Sequence, residues 1–127
     1  ASGRTVAPEE FNLPVSYDWP DALPPGGSMM VFGQDRNMID VLENFMEFFE
    51  EESCGQCTFC REGNYQLLKG VRKMRASQLC ESELENLLDL AENMKIGSKC
   101  GLGQTSPNPF VDILANWKDE VYKAPQK

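Results

Sequence analysis

Ser53-Cys54-Gly55-Gln56-Cys57-Thr58-Phe59-Cys60-Arg61-Glu62-Gly63 places three thiols at i, i+3 and i+6. A fourth, Cys100, follows after 39 intervening residues in Lys99-Cys100-Gly101-Leu102-Gly103. Iron in iron–sulfur clusters takes thiolate ligands, four to a [4Fe–4S] cube. A Cys-x-x-Cys-x-x-Cys loop wraps three corners of such a cube in one turn of backbone. Gly55 permits the tight path and leaves backbone N–H groups facing the sulfurs. Cys54, Cys57, Cys60 and Cys100 are therefore the expected ligands of one cluster, with Gly101 and Gly103 allowing irregular backbone beside the fourth corner. The run differs from the bacterial ferredoxin pattern, in which a fourth Cys follows at x₃ before Pro. Asn64 stands at that position here, so one cluster is expected rather than two.

Other uses of clustered thiols fit less well. Structural Cys₄ zinc sites pair two separated Cys-x-x-Cys knuckles, whereas this chain has one run of three and a singleton. A thioredoxin-like pair expects a βαβ context, which the sequence does not show. Five cysteines is an odd number, and a disulfide framework is usually even. Thiols grouped in this way suit a reducing compartment, and a cytoplasmic location is expected. Cys80 competes as a fourth ligand, but Leu79 and Glu81 give it no glycine loop, so a buried structural thiol is the preferred role. Arg61 and Lys99 each flank a ligand, where a cation favours the more negative, reduced cluster. Phe59, between two ligands, is expected to screen the site from water. Trp117 and Tyr65 read as core aromatics rather than electron relays.

The remainder of the chain limits what it can do alone. Its 127 residues make one domain's worth of material. A net charge of −8 opposes both nucleic acid and anionic membrane surfaces. No apolar run reaches 18 residues, so no membrane insertion is expected. The absence of histidine removes the commonest general base and excludes a Ser-His-Asp or Cys-His mechanism within the chain. No glycine-rich phosphate cradle occurs.

Residues 1–33 form an irregular N-terminal segment broken by Pro8, Pro14, Pro20, Pro24, Pro25, Gly26 and Gly27. Thr5-Val6-Ala7, Pro14-Val15-Ser16-Tyr17 and, most clearly, Ser28-Met29-Met30-Val31-Phe32 are its β candidates. Residues 34–127 are expected to be a helical domain. The first helix spans 38–51, capped by Asp35 or Asn37, with Met38, Val41, Leu42, Phe45, Met46, Phe48 and Phe49 as its apolar face and an acidic stripe opposite. A second spans 61–74, where Gly70 permits close helix contact. A third starts at a capping box of Ser82 and Glu85 and ends at Gly97. A fourth opens at Asn108-Pro109 as N-cap and N1 and runs to 122, leaving a tail over 124–127. The fold class expected is mainly α, a small four-helix bundle with an irregular N-terminal extension carrying a short β segment.

The stretch from Glu52 to Gly63 resembles the cluster loop of the flavin-bearing, NADH-oxidising subunit family of respiratory complex I, with its relatives in NAD(P)-linked soluble hydrogenases and formate dehydrogenases. Lys99-Cys100-Gly101-Leu102-Gly103-Gln104-Thr105-Ser106-Pro107-Asn108-Pro109 resembles the fourth-ligand segment, in the hydrogenase and formate dehydrogenase style. The segment up to Phe32 looks like the end of the β-grasp domain that precedes this region in the family. The resemblance covers residues 28 to 120. It implies a helical-bundle domain whose [4Fe–4S] cluster stands between FMN and further iron–sulfur centres, with Cys54, Cys57, Cys60 and Cys100 matching the family's ligands. It also implies other flavin and iron–sulfur subunits as partners. FMN and NAD(P) would bind only in the larger subunit or complex, and this chain alone is not catalytic. The chain reads as the C-terminal piece of a longer subunit or as a separate electron-transfer subunit. The competing reading is a non-redox interaction module with a structural Cys₄ metal site. A cluster-based sensor would need an output domain, and none is visible.

Overall fold

The structure, a computed structural model, describes residues 3–16, 18, 22–23 and 28–125. Five α-helices follow a short 3-10 turn at Pro8–Glu10: α1 Met38–Glu51, α2 Thr58–Arg75, α3 Glu81–Gly97, α4 Gly101–Thr105 and α5 Asn108–Val121. The mainly helical architecture is as expected, with the short α4 added to the four long helices. No helix among the described residues is long and apolar enough to cross a membrane.

Helix α1 starts where the sequence places it. Asn37 is extended and its Oδ1 accepts the Ile39 N–H at 3.1 Å. Glu120 of α5 accepts the Met38 N–H at 3.0 Å, so a second helix satisfies another free donor of the first turn. Met38, Ile39, Val41, Leu42, Met46 and Phe49 are buried, while Phe48 is half exposed.

Helix α2 packs against both α1 and α3, and α5 closes the other side of α1. The tightest approach is between α2 and α3. A Cβ on Gly63 would lie 2.4 Å from Met94 Sδ, and one on Gly70 would lie 2.3 Å from Leu87 Cδ1. The two glycines are seven residues apart on one face, and so are their partners on the antiparallel helix. The expected role of Gly70 is confirmed, and Gly63 repeats it one heptad nearer the cysteine loop. The core joins Leu42, Met46, Leu67, Val71, Leu84, Met94, Phe110 and Ile113 across four helices.

Several boundaries differ from expectation. Helix α2 begins at Thr58, three residues early, with Cys57 as its N-cap. Helix α3 is capped by Cys80, not Ser82: Glu83, not Glu85, sits at N3 and its Oε2 accepts the Cys80 N–H at 3.1 Å. The box has moved by two residues, which buries Leu84 and lets Glu83 also pair with Lys73. Pro107 rather than Asn108 is the N-cap of α5, and that helix kinks at Trp117, whose φ is −135°.

The N-terminal segment lies partly on the bundle. Asp112 Oδ2 of α5 accepts from Arg4 Nε at 2.8 Å and from the Thr5 N–H at 3.0 Å. Gly3, at φ +64°, fits against Pro109 and Phe49. The only β pairing among the described residues is an isolated parallel bridge between Val15 and Leu23. Ser28–Phe32 is not a strand and is exposed, Met29 at 87%. Its alternating faces have no neighbouring strand to pair with among the described residues. Tyr17, Pro20, Pro24, Pro25, Gly26 and Gly27 lie outside the described residues, as do Gln126 and Lys127 of the expected tail.

Candidate metal centre

The cysteine loop leaves α1 at Glu52 and enters α2 at Thr58. Gly55 takes φ +73° within it, a backbone conformation that side chains resist. Its N–H meets Ser53 Oγ at 3.3 Å and its carbonyl accepts Arg61 Nη1 at 2.8 Å. Arg61 thus ties the top of the loop to the first turn of α2, and its Nε pairs with Glu62 at 2.9 Å. The expected cation is present and clamps the cysteine loop to α2.

Cys57 and Cys60 lie at the start of α2. Cys60 is buried, Cys57 half-buried, and Cys54 and Cys100 exposed. The Lys99 backbone N–H, then that of Cys60, lower the Cys57 thiol below its ordinary 9.0. Burial raises Cys60, opposed by a hydrogen bond from Ser53, and the charges of Cys57, Cys100 and Cys54 raise it further. Cys57, Cys100 and Cys54 thus each act on Cys60.

Cys100 arrives on a second segment. Helix α3 ends at Gly97, Ser98 is extended, and Cys100 is the N-cap of α4. Gly103 of α4 abuts Cys60: a Cβ there would lie 2.7 Å from Ser98 Cβ and 3.0 Å from Cys60 Cβ. Gly101 has nothing within 4 Å. Of the two glycines, only Gly103 is needed for close approach, and the expected irregular backbone is a short helix. Phe59 lies on Gly97, where a Cβ would meet its ring at 2.4 Å. It is 46% exposed, so it covers the end of α3 while remaining open to solvent.

Cys80 is exposed, not buried. It caps the opposite end of α3 from Ser98, and eighteen residues at 1.5 Å each separate the two by roughly 27 Å. Its Sγ lies 3.2 Å from Ser82 Oγ, beside Tyr122 rather than the other thiols. Trp117 packs on the core as expected, whereas Tyr65 is half exposed.

Two polar residues beside Cys60 escaped the sequence reading. Ser53 Oγ lies 3.3 Å from Cys60 Sγ, and Asn64 Nδ2 lies 3.5 Å from it. Asn64 Oδ1 and Ser98 Oγ are buried with no hydrogen-bond partner among the described residues. The signal was available: Asn64 falls four residues after Cys60, a polar residue inside the buried stripe of α2.

This donor set suits an iron–sulfur cube. Its thiols come from two segments, hydrogen-bond donors reach the Cys57 and Cys60 sulfurs, and the Ser98 hydroxyl beside Gly103 has no partner among the described residues. Among the described residues no three Cys, Asp or Glu side chains are gathered as the ligands of a single metal ion.

Comparison with known proteins agrees with this chemistry. Residues 40–124 match the NADH-ubiquinone oxidoreductase-F iron-sulfur binding region. The chain is 34% identical over 97 residues to the NAD-reducing hydrogenase HoxS subunit alpha of Cupriavidus necator, covering 76% of this chain and 16% of that protein. It is 30% identical over 122 residues to the NADP-reducing hydrogenase subunit HndC of Solidesulfovibrio fructosivorans, covering 94% and 25%. It superposes on a crystal structure of an NAD⁺-reducing [NiFe]-hydrogenase in the H₂-reduced state with a TM-score of 0.84 and 32% identity, over 95% of this chain and 21% of that one. The chain thus spans about a quarter or less of the length of these relatives. Matched through both cysteine segments and in fold, the chain belongs to the family of the NADH-ubiquinone oxidoreductase-F iron-sulfur binding region, and its cofactor is a [4Fe–4S] cluster.

Proposed function

We propose that this chain is the electron-transfer segment of a multi-subunit NAD(P)-linked oxidoreductase of the hydrogenase or formate dehydrogenase type, between a flavin and further iron–sulfur centres. Cys54, Cys57, Cys60 and Cys100 are the ligands in this reading. One observation supports it: the segment that bears Cys100 packs on the loop thiols, with Gly103 of α4 against Cys60, while Cys80 stands at the far end of α3. Residues 34–127 form the cluster domain, residues 1–33 are an N-terminal segment whose Arg4 and Thr5 bond to Asp112 of α5, and the location is cytoplasmic. Hydrogenase subunits among the relatives favour a hydrogenase-type complex. FMN and NAD(P) belong to the larger assembly, with other flavin and iron–sulfur subunits as partners.

When bound, the cluster supplies one-electron capacity. The chain supplies the rest. Lys99 and Cys60 aim backbone N–H groups at the Cys57 sulfur. Arg61 fixes the loop through Gly55, and exposed Cys54 and Cys100 leave one edge of the site open to a partner. The test is electron paramagnetic resonance on the anaerobically purified chain before and after dithionite. A signal that appears on reduction supports the reading. A colourless protein with one zinc and no signal overturns it.

A further inference from the structure

Asn64 makes an unusual set of contacts for a fully buried polar side chain. It is 1% exposed and lies one helical turn beyond Cys60 on α2. Its Nδ2 donates to the Phe49 carbonyl in the last turn of α1 at 3.2 Å and to Cys60 Sγ at 3.5 Å. Its Oδ1 has no partner among the described residues. Both neighbours of the nitrogen are acceptors, a carbonyl and a sulfur that is anionic as a ligand. Flipping the amide would set oxygen against both, so the surroundings fix the N–H edge toward the sulfur. A buried acceptor without a partner ordinarily costs stability. An apolar residue of this shape would spare the orphaned Oδ1 but would take the donor from the Phe49 carbonyl, so the amide also has a structural tie to α1.

Ser53 completes the arrangement. Its Oγ accepts the Gly55 N–H, leaving the hydroxyl hydrogen for Cys60 Sγ at 3.3 Å. Hydrogen bonds to ligand sulfurs stabilise the more negative, reduced state of a cluster and so raise its potential. Burial of Cys60 strengthens the effect, because water screens little there.

We infer that Asn64 is a positioning residue that sets the reduction potential of the cluster through the Cys60 sulfur, with Ser53 as the lesser donor. This rests on Cys60 being a cluster ligand. It assigns the buried carboxamide a redox role besides its tie to α1.

The experiment is a redox titration of the full chain carrying its cluster, followed by electron paramagnetic resonance, with iron counted in every sample. Asn64→Leu keeps the shape and removes the donors. It should hold its iron and shift the equilibrium roughly tenfold toward the oxidised form, a fall of about 59 mV for a one-electron couple. Ser53→Ala should shift it in the same direction by less. Leu67→Ala, which removes buried packing from the same helix but no donor, should lower thermal stability and leave the potential unchanged. Should Asn64→Leu fail to load, the smaller Asn64→Ala carries the same test. A loaded variant with the wild-type potential overturns the inference. So does loss of the cluster from both Asn64 variants while wild type loads, since Asn64 would then be a prop. A wild-type chain without iron would sink the ligand assignment itself, and the inference with it.

Discussion

Gly63 on α2 faces Met94 on α3 so closely that a Cβ on the glycine would lie 2.4 Å from the methionine sulfur. The contact sits one turn past Cys60, where the cysteine loop joins the core. Close packing here holds the start of α2, which carries Cys60, against the end of α3, which leads into the Cys100 segment.

The two α2 glycines should therefore respond differently to alanine. Met94 is fully buried and has nowhere to go, so Gly63→Ala adds overpacking of about 1–3 kcal/mol. Helix propensity returns roughly 1 kcal/mol. At Gly70 the obstacle is one methyl of Leu87, which is only part-buried and can turn away. Denaturant unfolding should show Gly63→Ala destabilised and Gly70→Ala near wild type or slightly better. Equal losses would contradict the packing described.

A second pair of glycines separates close approach from flexibility. Gly103 admits α4 to within van der Waals contact of Ser98 and Cys60, whereas Gly101 faces open space. Gly103→Ala should push Cys100 away and cut iron content sharply. Gly101→Ala should retain it. Iron lost from both alike would mean that backbone freedom, rather than contact, is what the segment requires.

Glu83 couples acid to the start of α3. Its carboxyl is held at about 2, below the ordinary 4.5, first by Lys73 and then by the Cys80 N–H. The unfolded chain takes up this proton at higher pH than the folded one. The stabilisation is therefore complete above about 4.5 and fades as pH falls toward 2. Wild type should exceed Glu83→Gln in stability at neutral pH, and the gap should close across that window. A gap that persists unchanged to pH 2 would show that the carboxylate charge is not what matters.

Much of this was legible in the sequence because the strongest signals are local. Asn37 and the apolar spacing from Met38 to Phe49 mark α1 without help from the rest of the chain. Cap frames are less decisive. Cys80-Glu81-Ser82-Glu83-Leu84-Glu85 carries two overlapping boxes, and tertiary contacts at Leu84 and Lys73 choose between them. Helix α4 is too short and glycine-rich for propensity to reveal, and it forms against Ser98 and Cys60. Ser28–Phe32 has the composition of a strand, yet a strand needs a neighbour. The thiols were legible as a pattern, but Ser53 and Asn64 become visible beside Cys60 only once α2 is wound.

In the proposed site Cys100, rather than Cys80, joins the loop thiols. Iron and acid-labile sulfide should be counted in anaerobically purified Cys100→Ser and Cys80→Ser chains. Cys80→Ser should keep about four of each per chain, and Cys100→Ser should lose the cluster or hold a depleted one. Full occupancy in Cys100→Ser together with loss in Cys80→Ser would contradict the site.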